Sequence, residues 1–168
     1  MISDVDPWLL RLIHAHPLLF RGRPPAIESY VPEGWYSLID RLCRNIVESL
    51  GTDGCAQFKV VQIKEKYGTL RFYYRLNGQE DRHIDAVSSI GRVHATGRPT
   101  EATLGGETAE SRIRALVAAA SEASEAVCEM CGAPAQLHDV SGYLAVRCRV
   151  HLAELVAQRA VRQIKSSH

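Results

Sequence analysis

Apolar residues recur every three or four positions between Trp35 and Leu50, which is the period of an amphipathic α-helix. Charged residues such as Asp40 and Arg44 fill the intervening positions, and Gly51 follows where helices commonly end. The pattern predicts a helix over 34–50 with one buried face, and Cys43 beside that face is predicted to be a buried thiol. The apolar positions are Trp35, Leu38, Ile39, Leu42, Ile46, Val47 and Leu50.

Three other segments have the same period and predict helices over 7–16, 107–127 and 151–165. The first begins at Pro7, a residue that suits the first helical turn, and the second is rich in alanine, which permits close packing. Between the first helix and residue 34 the chain holds several prolines, so this segment is predicted to be irregular. Its apolar run, Leu18 to Phe20, is expected to contact the core.

Residues 57–76 have the alternation of β-strands instead. In the second half, Phe72 and Tyr74 share one face, and polar residues occupy the other. The first half changes parity in its middle, which indicates a bulge or burial on both faces. Tyr67 and Gly68 supply a turn, so the segment predicts an antiparallel hairpin with the 34–50 helix packed on its apolar face.

The pattern weakens after Gly78. Ile84, Val87 and Ile90 indicate a short helix, and residues 91–106, rich in Gly, Thr and Ala, have no period and predict a loop. An unstructured loop of this length is uncommon in a compact domain. The 91–106 loop is therefore expected to be mobile, with contact to a partner as the alternative.

Four residues near the C-terminus have the spacing of a metal site: Cys128, Cys131, Cys148 and His151, in the pattern C-x-x-C followed by C-x-x-H. Three thiolates and one imidazole complete a tetrahedral zinc shell with no position left for water or substrate. The sequence therefore predicts a structural Zn²⁺. His138 is a rival fourth ligand, but using it would leave Cys148 and His151 without a role.

Between the two ligand pairs, residues 135–140 and 143–147 predict a short hairpin that turns at Ser141 and Gly142. A knuckle, a hairpin and a helix that begins at the second ligand pair resemble a treble-clef zinc finger over residues 128–165. The predicted fold class is α+β: helices packed on an antiparallel hairpin (1–127), with a treble-clef-like zinc lobe (128–168) packed on that core. The resemblance implies no particular function.

Composition and charge bear on the size of the core and on the partners that can be expected. The chain of 168 residues is 46% hydrophobic, enough to bury a core, and 20 Lys and Arg balance 19 Asp and Glu. A net charge of +1 gives no global argument for nucleic acid or an anionic membrane. No apolar run approaches the roughly 18 residues of a membrane span. Five cysteines, three of them with metal spacing, favour a reducing compartment, so the expected location is cytoplasmic.

Motifs of catalysis are absent from the sequence. It contains no nucleophile elbow, no phosphate-binding glycine loop and no H-E-x-x-H. Some treble-clef proteins are HNH-type nucleases, and His138-Asp139 lies where their general base would be. However, His151 is already a zinc ligand, and no further histidine precedes His168. We therefore expect a protein that is not an enzyme.

Two surfaces are candidates for binding. Arg71, Tyr73 and Arg75 lie on the polar face of the second predicted strand and are expected to contact a partner protein or stack on bases. Arg159, Arg162 and Lys165 make the last helix basic and are the candidate contacts to nucleic acid. The alternatives are a solvated strand face and a helix whose basic end complements its dipole.

Four segments together resemble a widespread group of small, uncharacterised bacterial and phage-borne proteins: HPLLFRG, GWYSLIDRLC, VVQIKEKYGTLRFYY, and CEMCGAPA with the later C-x-x-H. The resemblance covers most of the chain outside residues 79–106. It implies an autonomous zinc-containing unit and no defined activity. Small accessory proteins without catalytic residues often bind and block another protein, so an immunity or inhibitor protein is the leading expectation, and a nucleic-acid-binding regulator is the alternative.

Overall fold

The computed structural model describes residues 6–21, 25, 31–80, 83–88, 91–96 and 108–166; among these, side chains are not described for 79–80, 83–88, 91–96 and 165–166. The helices are α1 (Pro7–Ala15), α2 (Pro17–Phe20), α3 (Tyr36–Cys55), α4 (Ala109–Ser124) and α5 (Arg149–Ser166). The strands are β1 (Phe58–Lys66), β2 (Thr69–Leu76), β3 (Gln79–Glu80), β4 (His83–Ser88), β5 (Gly91–Thr96), β6 (Gln136–Val140) and β7 (Tyr143–Arg147). The predicted α+β class is confirmed.

The predicted main hairpin is the pair β1–β2, with β3 added at the far end of β2. The register shifts between Val60 and Gln62, so the parity change of the sequence is a β-bulge. Tyr67 and Gly68 both have positive φ, 56° and 70°, which is the backbone of a tight two-residue hairpin turn. Glycine adopts this conformation without steric cost.

One buried cluster joins α1, α2, α3, α4 and the β1–β2 hairpin. Trp35 is fully buried at the start of α3, and the rings of Phe58 and Tyr74 stack with centroids 5.2 Å apart. Residues of the 34–50 segment, Phe72 and Tyr74 all belong to this cluster, as the predicted packing requires. Gly51 has a non-helical backbone, so the regular part of α3 ends where the sequence predicts, and a further turn continues to Cys55.

Helix α4 covers the edge of β2 that β1 leaves open. The Leu70 N–H donates to Ser124 Oγ over 2.9 Å, and the Leu70 carbonyl accepts from Ser121 Oγ over 3.0 Å. Two serine hydroxyls thus replace the hydrogen bonds of a neighbouring strand. This arrangement fixes α4 against the sheet.

Two expectations for the middle of the chain are wrong. The segment that was predicted as a short helix near residues 84–90 contains strand β4, and the first part of the predicted 91–106 loop is strand β5, antiparallel to β4. In the sequence, Ile84, Val87 and Ile90 match a helical period, but six residues of hairpin pairing determine the conformation. Residues 97–106 lie outside the described residues.

The N-terminal segment also differs from expectation in two places. Residues 17–20, predicted as irregular, form the one-turn helix α2, in which Leu19 and Phe20 are buried but Leu18 is exposed. His16 is buried beside this helix, and its Nε2 lies 2.8 Å from Asp40 Oδ1 on α3. Arg44 also pairs with Asp40, at 2.9 Å. Within the described residues, no helix has both the length and the apolar character that crossing a bilayer requires.

Candidate metal centre

The four predicted ligands converge at the end of the short hairpin. Cys128 and Cys131 lie in the knuckle before β6, Cys148 follows β7, and His151 lies in the first turn of α5. All four donor atoms lie within 4.8 Å of one another. Cys131 Sγ is 3.8 Å from Cys148 Sγ, and His151 Nδ1 is 3.3 Å from Cys148 Sγ and 3.5 Å from Cys128 Sγ. These residues could hold a metal ion.

The knuckle has the backbone that such a site requires. Gly132 has a φ of +76°, and its N–H donates to the Cys128 carbonyl over 2.8 Å, which closes a tight turn. The Cys128 N–H donates to the Ala133 carbonyl over 2.8 Å. This turn directs both side chains of the C-x-x-C pair to the same side. His138, the rival ligand, is half-buried in β6 and is not a member of the cluster.

Backbone N–H groups favour the thiolate form of two ligands. Hydrogen bonds to the Cys148 sulfur, the largest from the backbone N–H of His151, lower the pKa of that thiol to about 6. Burial raises the pKa of Cys128, but N–H groups of Cys148, Met130 and Cys131 outweigh burial, and the net pKa shift is downward. Since the thiolate is the form that binds metal, the folded backbone prepares these sulfurs as ligands.

The two cysteines outside the cluster behave differently. Cys43 and Cys55 are both buried, and burial raises the pKa of each thiol. At Cys43 the neighbouring Asp40 raises the pKa further. These thiols are packed as small apolar groups, which confirms the prediction made for Cys43.

The knuckle is attached directly to the helical core. The Gly34 N–H donates to the Glu129 carbonyl over 2.9 Å, and Trp35 Nε1 donates to the Val127 carbonyl, also over 2.9 Å. A Cβ atom at Gly34 would lie 2.3 Å from the Cys128 carbonyl oxygen and 2.6 Å from the Cys131 nitrogen. The segment that begins α3 therefore lies in backbone contact with the turn that carries Cys128 and Cys131.

A buried ion pair supports the same junction. Glu129, 1% exposed, pairs with Arg147 at the end of β7. Burial raises the pKa of Glu129 to about 7, although the Arg147 guanidinium acts in the opposite direction. Within the described part of the chain, Glu129 Oε2 has no hydrogen-bond partner, so no hydrogen bond at this oxygen offsets the effect of burial on the pKa. Sequence reasoning missed this pair because its partners lie on separate elements.

The predicted protein-binding row is only partly accessible. Arg71 is 4% exposed, and its Nη1 lies 3.2 Å from Ser121 Oγ on α4, so the expectation that it is exposed is wrong. The reason is that α4 covers this part of β2. Tyr73 is half-buried under the Lys64 ammonium, 4.9 Å from its ring centroid, and Arg75 is exposed.

Only part of the set of residues predicted to contact nucleic acid is available for binding. Arg159 donates through Nε to the Val140 carbonyl over 3.1 Å and through Nη2 to the Ser141 carbonyl over 2.9 Å, and its guanidinium lies 5.1 Å from the Tyr143 ring centroid. It therefore holds α5 against the turn of the short hairpin. Arg162 is exposed, and the side chain of Lys165 lies outside the described residues.

Comparisons with protein-family models, curated proteins and solved structures find no match for this chain. The metal-ligand geometry and the surfaces of the molecule therefore carry the functional argument.

Proposed function

We propose that the chain is a non-enzymatic, zinc-stabilised protein that binds and blocks or modulates a partner protein, most concretely as an immunity or inhibitor protein. The zinc-stabilised part of the proposal rests on the cluster of four protein donors. A tetrahedral zinc ion with sulfur ligands at about 2.3 Å separates two sulfurs by about 3.8 Å, and a sulfur from an imidazole nitrogen by about 3.5 Å. Cys131 to Cys148 is 3.8 Å, and Cys128 to His151 is 3.5 Å.

Four protein donors fill a tetrahedral shell, so the proposed zinc is structural and leaves no position for a substrate. The knuckle, the β6–β7 hairpin and His151 in the first turn of α5 support a treble-clef arrangement. In that arrangement the ion joins the two ends of residues 128–151. Its contribution is to hold this lobe in shape beside the start of α3.

The partner-binding surface that we propose is the polar face of the β1–β2 hairpin. It carries exposed Lys59 and Arg75, with Lys64 stacked over Tyr73. Basic groups around an aromatic ring suit an acidic protein surface, and arginine and tyrosine are enriched at such interfaces. The buried Arg71 is then a support for the strand and not a contact residue.

The second candidate is a nucleic-acid-binding regulator that uses the basic residues of α5. Arg162 and Lys165 remain candidates for phosphate contact, whereas the carbonyl contacts of Arg159 weigh against it. This is why the protein-binding function is preferred. The two functions place their essential cations on different elements, which makes them separable by mutation.

The metal is tested by elemental analysis of purified protein, which should give about one zinc per chain. His151→Gln should lose the metal because it removes a ligand, whereas His138→Gln, the matched control in β6, should retain it. Zinc content near zero in a well-folded wild-type protein would contradict the proposal of a zinc site.

The function is tested with one pair of charge reversals. Arg75→Glu should abolish recovery of a single stoichiometric partner protein on the immobilised chain, and Arg162→Glu should leave it unchanged. A nucleic-acid regulator gives the opposite result: retention on DNA or RNA that falls steeply with salt and is lost in Arg162→Glu. That second pattern would overturn the protein-binding proposal.

A further inference from the structure

Helix α5 has an exposed apolar face that points away from the rest of the described structure. Val150 is 66%, Val161 52% and Ile164 65% exposed. Three exposed alanines lie between them on the same side of the helix. The outer face of α5 is defined by six exposed residues: Val150, Ala153, Ala157, Ala160, Val161 and Ile164.

The opposite side of α5 accounts for its attachment to the molecule. Leu155 is 8% exposed, and Arg159 bonds to the carbonyls at the β6–β7 turn. With 3.6 residues per turn, these two side chains lie across the helix axis from Ala157. The outer face therefore lies on the side of α5 opposite the contacts that Leu155 and Arg159 make.

The spacing of the outer face is that of a coiled coil. Val150, Ala157 and Ile164 are seven residues apart, and Ala153 and Ala160 follow the first two by three. This is the first-and-fourth pattern of a heptad repeat, sustained over two heptads. β-Branched residues at the first position, here Val150 and Ile164, are one feature of two-stranded parallel coils, in which leucine usually fills the fourth position that alanine occupies here.

Charges beside the outer face fit a second copy of the same chain. In a parallel coiled coil, consider the residue that directly precedes a first heptad position on one helix. It lies beside the residue of the other helix whose number is higher by five. Arg149 and Glu154, both exposed, occupy these two places. A parallel pair of α5 helices thus brings Arg149 of each copy to Glu154 of the other. The next such pair, Val156 and Val161, is apolar on both sides.

We propose that the outer face of α5 is a self-association surface through which two copies of the chain form a parallel, two-fold symmetric coiled coil. An antiparallel pair would separate Arg149 from Glu154 of the other copy, so the charges favour the parallel arrangement. Two heptads with small central side chains bury less than roughly 1,200 Å² in total, which is typical of weak association. The dimer therefore forms and dissociates in the micromolar range.

Sedimentation equilibrium of the full-length, metal-containing protein tests the surface. We expect the mass to rise from monomer to dimer across the micromolar range. Ala157→Lys places two ammonium groups at the centre of the coil and should shift the equilibrium to monomer by a hundredfold or more. Gln158→Lys adds the same exposed side chain outside the outer face and should leave the dimer intact. Lysine is a good helix former, so both variants keep α5 helical.

A charge exchange tests the parallel register. Arg149→Glu and Glu154→Arg each set like charges opposite one another and should weaken the dimer by roughly tenfold, whereas the double variant should restore it. Zinc content measured on each variant verifies that the metal site beside Arg149 is intact. A wild-type monomer at every concentration, including one that instead binds a different protein through α5, overturns the proposal. A dimer that is lost in Ala157→Lys but indifferent to both single charge exchanges overturns the parallel arrangement.

Discussion

At Gly34 the helical core and the C-x-x-C knuckle are in close backbone contact. Its Cα faces the backbone of Cys128, Glu129 and Cys131, and any Cβ there would lie between 2.3 and 2.6 Å from their atoms. Backbone atoms cannot rotate away as a side chain can. The absence of a side chain at Gly34 is therefore a condition for the junction to form.

We expect Gly34→Ala to destabilise the protein by about 3 kcal/mol, because the knuckle must move away from α3. The free energy of unfolding in urea measures this change. Gly54→Ala is the control: its Cβ would meet only the Leu50 side chain, at 3.1 Å, and we expect a much smaller effect. Equal stabilities of the two variants would contradict the close approach at Gly34.

For single residues, the sequence identified the candidate metal-binding side chains better than it predicted which side chains are buried. The four ligands follow from spacing alone, since two residues between ligands allow one turn to direct both side chains to one ion. By contrast, Arg71 alternates with core residues along β2, which is the pattern of an exposed strand residue, yet it is buried. Its burial depends on Ser121, fifty positions away in the chain. The pair of His16 and Asp40 escaped prediction for the same reason.

Among the elements, α4 has a role that its sequence does not indicate. Its periodic apolar residues predict a helix packed on a core, and Ile113 and Val117 do pack there. The serines Ser121 and Ser124 read as ordinary polar residues, but they satisfy the backbone of Leu70 at an otherwise open strand edge. One helix thus contributes both to the core and to the pairing of the sheet.

We expect Ser124→Ala to cost about 2 kcal/mol of stability, because it leaves the buried Leu70 N–H without a partner. Thermal or urea unfolding measures the change, and hydrogen exchange at the Leu70 amide should accelerate with it. Glu122→Ala, on the exposed side of α4, should change stability only slightly. Unaltered stability and exchange in Ser124→Ala would show that the hydroxyl is dispensable.

The hairpin β4–β5 marks the limit of pattern analysis for elements. Its apolar residues fit a helical period as well as a strand, and its glycine and threonine content resembles a loop. Short apolar runs do not distinguish helix from strand without knowledge of what pairs with them. In β1–β2, where alternation is long and the turn residues are decisive, both strands were predicted, and a bulge was one of the two interpretations of the parity change.

For the molecule as a whole, the candidate metal centre and the helical core are joined by direct contacts. Trp35 in the core donates to the carbonyl of Val127, next to the first ligand, and the turn at Gly68 packs against Leu137 in the short hairpin. A division of the chain at residue 127 therefore passes through a region with contacts on both sides. We infer that the folding of the two parts is coupled through these contacts.

Removal of the metal by a chelator should lower the melting temperature of the whole chain by about 10 °C or more, in a single transition. Far-ultraviolet circular dichroism follows the helices, and near-ultraviolet circular dichroism or fluorescence follows the aromatic core that contains Trp35. The two signals should change together. Cys131→Ser, which already lacks a ligand, should be indifferent to the chelator. An unchanged tryptophan signal while the lobe unfolds would contradict the coupling.

The sequence by itself determined the α+β class, the helices α1, α3, α4 and α5, the β1–β2 and β6–β7 hairpins, and the four residues that could hold a metal ion. Each of these depends on residues close together in the chain, where period, turn and spacing are local properties. Only the tertiary structure decided that Arg71 is buried, that α4 pairs with a strand edge, that Arg159 holds a turn, and that Gly34 contacts the knuckle. Most of these depend on elements distant in sequence, and their contacts exist only once the chain has packed.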